Sequence, residues 1–255
     1  MSNSKIVLEK LVAMSRALGE PQRDLAILGE GNTSAICDDG TFWVKASGTQ
    51  LGTIDANGFV RVNLDPVCKL ADQGNLSDDE LKTALKAACV DPNETKRPSV
   101  ETVLHALALA ETGATFVGHT HPTAVNALSC SRDVESLVKG QMFPDSIVVC
   151  GPEPAYVPYT DPGLPLARAV RQVFAKYMDK WAQAPKVLVM QNHGMIALGK
   201  SPTEVENISA MYVKTCRILA GTFAFGGPRF LSEADVERIH TRPDELYRRQ
   251  QLKID

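Results

Sequence analysis

The chain has 255 residues, 44% of them hydrophobic and 22% charged, and its 27 Lys and Arg against 30 Asp and Glu leave a formal net charge of −3. A chain of about 250 to 300 residues buries roughly three quarters of its unfolded surface, and 18 Gly with 15 Pro fall well short of a low-complexity composition. No Lys/Arg-rich run offers nucleic acid the basic face it requires, and no apolar run exceeds residues 106–110, against the roughly twenty residues of a membrane span.

Val7, Leu11, Met14 and Leu18 recur at helical spacing, and Gly19 with Pro21 ends this first helix. Short β-prone runs at 33–37 and 41–45, separated by Asp38-Asp39-Gly40, and a third at 59–62 after Asn57-Gly58, predict antiparallel hairpins. Ser77 and Glu80 frame a capping box for a helix through Leu81, Leu85 and Ala88, expected to end near Pro92. The next helix is expected to be capped by Ser99, to pass through Val103, Leu104 and Leu107, and to stop at Gly113. There follow a strand at 115–119, a helix after Pro122, a strand at 147–150, a long helix at 164–181 and strands at 187–191 and 195–198. From Pro202 the chain reads as mainly helical. With no internal repeat and no linker, residues 1–255 are expected to form one α/β domain. It has a largely antiparallel sheet, flanking helices and a helical C-terminal tail from about residue 226.

Glu9 interrupts the apolar stretch of the first twenty residues, which therefore lack the core of a signal peptide. The six cysteines are widely spaced with no Cys-x-x-Cys pair, which reads as buried free thiols in a reducing compartment. A cytoplasmic location is expected.

Three of the five histidines lie where chemistry would want them. His119 and His121 alternate at a strand end, where they share a face. His193 follows an apolar strand in the turn Gln191-Asn192-His193-Gly194. Three neutral imidazoles with an open fourth position suit a catalytic zinc ion, whereas a His-x-His pair alone also occurs as a strand end bonded to backbone. Glu101 and His105 share a helical face on the way to the His119 strand. Glu101 reads either as a general base beside a metal or as a first-turn glutamate that favours the helix dipole; His105, within an apolar helix, reads as a hydrogen-bonded structural residue.

Gly29-Glu30-Gly31-Asn32-Thr33-Ser34 lacks the third glycine of a dinucleotide fingerprint, but its backbone N–H groups, amide and hydroxyls suit an anion. Ala46-Ser47-Gly48-Thr49 has the same character, and Ser99 stands at an expected helix N-terminus. Residues 194–201 satisfy the spacing of a Walker A loop, yet the four residues between the glycines, Met195, Ile196, Ala197 and Leu198, are apolar and strand-like, so a phosphate cradle is not expected there.

Five motifs taken in order, Gly31-Asn32-Thr33-Ser34, Lys45-Ala46-Ser47-Gly48, Arg97-Pro98-Ser99-Val100-Glu101 with His105, His119-Thr120-His121-Pro122 and Asn192-His193-Gly194, resemble the class II aldolase/adducin family over roughly residues 5–219. The wording is most similar to the aldolase-like half of fused rhamnulose-phosphate aldolase/dehydrogenases. The resemblance implies a three-layer α/β/α sandwich around a mostly antiparallel sheet. It implies His119, His121 and His193 as ligands of a divalent metal, zinc before manganese or cobalt, with Glu101 as the acid/base. Asn32, Ser47, Gly48 and Ser99 would hold a substrate phosphate, with active sites between the subunits of a homotetramer. Val100 departs from a second serine found in fuculose-phosphate aldolase, and no tyrosine stands near Met142 and Phe143. Tyr247 is the tail tyrosine that could correspond to a second, tail-borne tyrosine of that enzyme, and the resemblance assigns it no role.

The expected activity is metal-dependent, reversible cleavage of a ketose 1-phosphate into dihydroxyacetone phosphate and an aldehyde. Decarboxylation of a keto or hydroxy sugar-acid phosphate in the same pocket is the alternative. A non-enzymatic binding module, as in the adducin head, is a third reading that the three histidines and Glu101 disfavour.

Overall fold

Helix α1 (Asn3–Leu18) buries Leu11, Met14 and Leu18 at the spacing of one helical face, and the chain then enters a seven-stranded sheet. The computed structural model describes residues 3–74 and 76–252. Strands β1 (Asn32–Ile36), β2 (Thr41–Lys45) and β3 (Phe59–Asn63) form an antiparallel meander. Strands β4 (Phe116–Thr120), β5 (Ala155–Val157), β6 (Val187–Met190) and β7 (Gly194–Gly199) complete the order β3-β2-β1-β4-β7-β6-β5. Every pairing is antiparallel except β5 with β6. β4 is thus the central strand, flanked by β1 and β7.

The pleat sends alternate residues of each strand to two cores. On one face Val44, Val117, Ile196 and Leu188 pack against α2 (Leu64–Leu70), α3 (Asp78–Ala87), α4 (Thr102–Thr112) and α8 (Leu164–Trp181). On the other, Ala35, Phe116, Val189 and Ala197 pack with α1, α5 (Thr123–Ser129), α6 (Val134–Lys139), α7 (Pro144–Cys150), α9 (Pro202–Thr222) and α10 (Glu233–Thr241). Helix α11 (Pro243–Leu252) follows. The result is the three-layer α/β/α sandwich that the motifs implied. Among the described residues all six cysteines are free, and no helix is long and apolar enough to cross a membrane.

The structure corrects three expectations. Residues 147–150 are not a strand: they close α7, which starts on Pro144 and ends at Gly151 in a positive-φ conformation (φ 88°). A four-residue apolar run is too short to show a period, and burial on all sides suits either element. The capping box of Ser77 and Glu80 is present, but α3 stops at Ala87 rather than near Pro92. There the backbone leaves the helix to pair with the outer edge of β3, with Val90 N donating to the Arg61 carbonyl and Cys89 bridging Val62. Finally, α4 starts at Thr102 with Glu101 in the N-cap position, so Ser99 is not its cap. Ser99 forms a turn ahead of the helix, its Oγ accepting from Glu101 N at 3.3 Å and its carbonyl from Thr102 N at 3.0 Å. Helices α2 and α6 and strand β5 carried no sequence signal strong enough to read.

Candidate active site

His119 sits on β4, paired with Asn32 of β1 on one side and Ile196 of β7 on the other. The residue is 1% exposed, and Nδ1 lies 2.9 Å from the Met195 carbonyl. A carbonyl only accepts, so Nδ1 carries the proton and Nε2 is bare. Burial, followed by the charge of His193 and Lys45, lowers the His119 pKa against the opposing pull of Glu101.

His121 lies one residue past the strand, where its N–H donates to the Leu25 carbonyl at 2.8 Å. Its Nε2 stands 3.0 Å from Nε2 of His119. The bare Nε2 of His119 accepts at that separation, either from an N–H on Nε2 of His121 or, where both nitrogens are bare, alongside it from a shared cation. Burial first, then His119, depresses the His121 pKa to about 4, which leaves its ring neutral at physiological pH. His193 arrives on the loop between β6 and β7, where Asn192 takes φ 55°. The three ring centroids lie 4.7, 4.9 and 5.1 Å apart, and one ligand nitrogen of each falls within 4.8 Å of the others.

Gly194 makes this convergence possible. A Cβ there would stand 2.6 Å from the Thr120 carbonyl oxygen, 2.7 Å from Cδ2 of His121 and 3.4 Å from Cε1 of His119. Backbone on one side and an imidazole on the other leave no room to yield. Gly194→Ala is therefore expected to keep the fold but to weaken metal binding at least about tenfold, the range seen when ligand orientation is disturbed. Zinc titration of the purified variant against a chromogenic chelator checks this, and wild-type affinity would contradict it. Gly31 has a similar constraint: it combines φ 66° with a Cβ position 2.5 Å from the His119 carbonyl oxygen.

Glu101 is buried, 8% exposed, and its carboxylate closes the cluster. Oε2 accepts from Asn32 Nδ2 at 2.6 Å and lies 3.5 Å from Nε2 of His119, while Oε1 lies 3.3 Å from Nε2 of His193. Burial alone would raise its pKa; His119, the Asn32 hydrogen bond, His193 and His105 together outweigh it and hold the group at about 2. The resting carboxylate is an anion. His105 takes no place in the cluster. It is fully buried behind Asn32, with Nδ1 2.7 Å from Ser34 Oγ and Nε2 hydrogen-bonded to Asn32 Oδ1.

The anion-binding candidates are only partly gathered. Ser47 N donates to the Arg97 carbonyl at 2.9 Å and Ala46 bridges Pro98, so the Ser47-Gly48 turn and the Ser99 turn run side by side beyond the end of β2. Asn32 and Ser34 lie within β1 rather than in a turn, and both are buried. Lys45 was missed in the sequence. It is 4% exposed, its Nζ donates to the Gly29 carbonyl at 3.2 Å, and its pKa is lowered by burial against the attraction of Glu101. Its signal was its place in Lys45-Ala46-Ser47-Gly48, where a lysine interrupts an apolar strand end. Tyr247 is exposed on α11, which packs against α7 and α10. Residues 194–199 of the Walker-like run form buried strand β7; Gly199 and Lys200 line a cavity of about 300 Å³ at the opposite end of β7 from Gly194.

A second cleft, of about 440 Å³, is lined by Glu30, His121, Asn126 and Cys130 and touches the cluster at His121, with His119, His193 and Glu101 outside its lining. Three neutral imidazoles, one carboxylate and a glycine cradle fit a divalent ion by donor chemistry, since small ring rotations bring such nitrogens to the bond lengths of about 2.0–2.1 Å that zinc requires. His119 has its second nitrogen tied to a carbonyl, as a ligating imidazole does.

The sequence profile described as Class II Aldolase and Adducin N-terminal domain matches residues 9–220. The chain belongs to the class II aldolase/adducin family. Family members are generally divalent-metal dependent and act on sugar phosphates and related sugar acids. Among the relatives of this class II aldolase family chain, the uncharacterized oxidoreductase YuxG of Bacillus subtilis is 27% identical over 220 residues, 83% of this chain and 28% of YuxG. The chain thus spans little more than a quarter of that relative. The 3-oxo-tetronate 4-phosphate decarboxylase of Haemophilus influenzae is 23% identical over 237 residues, 92% of this chain and 96% of that protein. A solved N-terminal class II aldolase domain of a conserved protein from Thermoplasma acidophilum is 26% identical with a TM-score of 0.66, covering 84% of this chain and 93% of that one.

Proposed function

We propose that the chain is a carbon–carbon lyase that reversibly cleaves a ketose 1-phosphate into dihydroxyacetone phosphate and an aldehyde. The observation that carries this is a buried carboxylate, Glu101, set 3.3 and 3.5 Å from two of three convergent imidazoles. His119, His121 and His193 would hold the divalent ion, zinc by their chemistry, with manganese or cobalt also able to occupy imidazole sites. When bound, that ion supplies Lewis acidity to the substrate oxygens.

Glu101 moves the proton. In the condensation direction its carboxylate takes a proton from the carbon beside the ketone, and the electron pair left on that carbon forms the new bond to the aldehyde carbon. The aldehyde oxygen takes up a proton as the hydroxyl of the product. Cleavage is the reverse: the substrate hydroxyl gives up its proton as the carbon–carbon bond breaks, and Glu101, protonated in exchange with solvent, delivers a proton to carbon. Ser47, Gly48 and Ser99, with the second amide hydrogen of Asn32, are assigned to the phosphate, and Lys45 offsets its charge from behind the loop at Gly29. The reading includes a homotetramer with the site between subunits, for which Ile27, Leu28, Phe223 and Phe225, all more than half exposed, supply apolar surface.

Decarboxylation is the second reading, favoured by the full-length match to the Haemophilus influenzae decarboxylase. Here the bond to a carboxylate breaks, carbon dioxide leaves, and the electron pair retained on carbon takes a proton that comes from solvent and is passed on by Glu101. Incubating the zinc-loaded chain separately with ketose 1-phosphates and with a 3-oxo sugar-acid 4-phosphate decides between them. Aldehyde with dihydroxyacetone phosphate is the expected product; carbon dioxide alone would move the assignment to the second reading, and neither product would reject both.

A further inference from the structure

Behind Glu101 lies a chain of buried polar groups that proton transfer does not itself use. Ser34 and Asn32 point from β1 toward α4, where His105 meets both: Ser34 Oγ is 2.7 Å from Nδ1, Nε2 is bonded to Asn32 Oδ1, and Asn32 Nδ2 is 2.6 Å from Glu101 Oε2. All four residues are 8% exposed or less. The direction of every bond follows from one fact. An ionised carboxylate only accepts, so Asn32 presents Nδ2 to Glu101 and Oδ1 to His105. His105 Nε2 must then carry the proton, Nδ1 is bare, and Ser34 donates to it.

We propose that His105 is a positioning residue for the base: its Nε2–H holds the Asn32 amide in the single orientation that offers a donor to Glu101, and Ser34 holds the imidazole in the tautomer that allows this. A flipped amide would set Oδ1 against Oε2, two acceptors at hydrogen-bond distance, and would release the carboxylate from its place between His119 and His193. The lock also leaves one Asn32 amide hydrogen unused by Glu101, so the residue that fixes the base has a donor left for the substrate. Burial ahead of all other causes depresses the His105 pKa to about 3, in keeping with a neutral ring that donates on one side and accepts on the other.

The proposal rests on Glu101 acting as the base, and two measurements separate its failure from the failure of that reading. In the zinc-loaded protein, the nitrogen-15 shifts of His105 report its tautomer without any turnover. Protonated Nε2 with bare Nδ1 is expected, and protonated Nδ1 would overturn the lock. In the cleavage assay, His105→Leu is expected to lower kcat about 10- to 100-fold with zinc content unchanged and KM within about threefold. Ser34→Ala should lose less, and should add nothing in the His105→Leu background because its hydroxyl acts only through the ring. Full kcat in a folded His105→Leu, or a loss confined to KM or metal content, would overturn the proposal. Should the leucine variant not fold, His105→Gln, which keeps an N–H donor, is read in its place: recovery of at least about a third of wild-type kcat is expected, and a loss as deep as in Asn32→Ala would count against the lock.

Discussion

Glu101→Gln is expected to lower the cleavage rate by about 10²- to 10⁴-fold, the span general acid–base groups contribute, while the chain keeps its metal. The substitution is nearly isosteric. Glutamine still offers an oxygen to Asn32 Nδ2, which lies 2.6 Å from the native carboxylate, and all three imidazoles remain. What disappears is the proton acceptor. The alternative sequence reading, a first-turn glutamate that interacts only with the helix dipole, predicts a change of a few tenths of a kcal/mol in stability and nothing in rate. The structure already disfavours that reading, because the carboxylate turns away from the helix to meet His119 and His193. Turnover measured beside metal content separates the two; a rate within about tenfold of wild type would end the assignment of Glu101 as base.

The second large effect is expected from His119→Ala. This residue lies on the central strand, is 1% exposed, and among the described residues is the only one of the three with its second nitrogen fixed to a backbone carbonyl, at 2.9 Å. Its loss removes a ligand outright and leaves Glu101 without one of its two imidazole contacts. Metal affinity should fall by more than the roughly 10–100-fold that an outer partner costs, with activity falling in step. Glu30→Gln is the contrasting control. Its Oε1 lies 3.9 Å from Nδ1 of His121, too long for a hydrogen bond, so only a few-fold change is expected. Equal losses in the two variants, measured by metal titration, would contradict the ranking.

Spacing placed His119 and His121 on one face, while the roles of Glu101 and of the phosphate-binding candidates came only from the family resemblance. His119 and His121 alternate along one strand, and the rings do converge, although His121 stands just beyond the strand and is held by Leu25. His193 needed the family resemblance, because nothing in a single sequence says that β7 pairs with β4; the register that sets Thr120 opposite Met195 is a tertiary fact. For the same reason Lys45 and the bonds joining Ser34, His105 and Asn32 were hidden, since they depend on three elements meeting at the end of the sheet. In the fold, the helix at 147–150 was missed because a short apolar run carries no period, and the early end of α3 because its last residues are captured by β3. Where a cap or a long period spoke, the start of α3 at Ser77 and the helix along residues 164–181 are as read.

Carbon–carbon cleavage is expected to depend on a metal ion held by the imidazole cluster of His119, His121 and His193. Its most direct measurement is the initial rate of aldehyde release from a ketose 1-phosphate while metal-stripped chain is titrated with zinc. The rate should start near zero, rise in proportion to added metal and break at one ion per chain. A rate already present before zinc is added, and unchanged by it, would contradict the account.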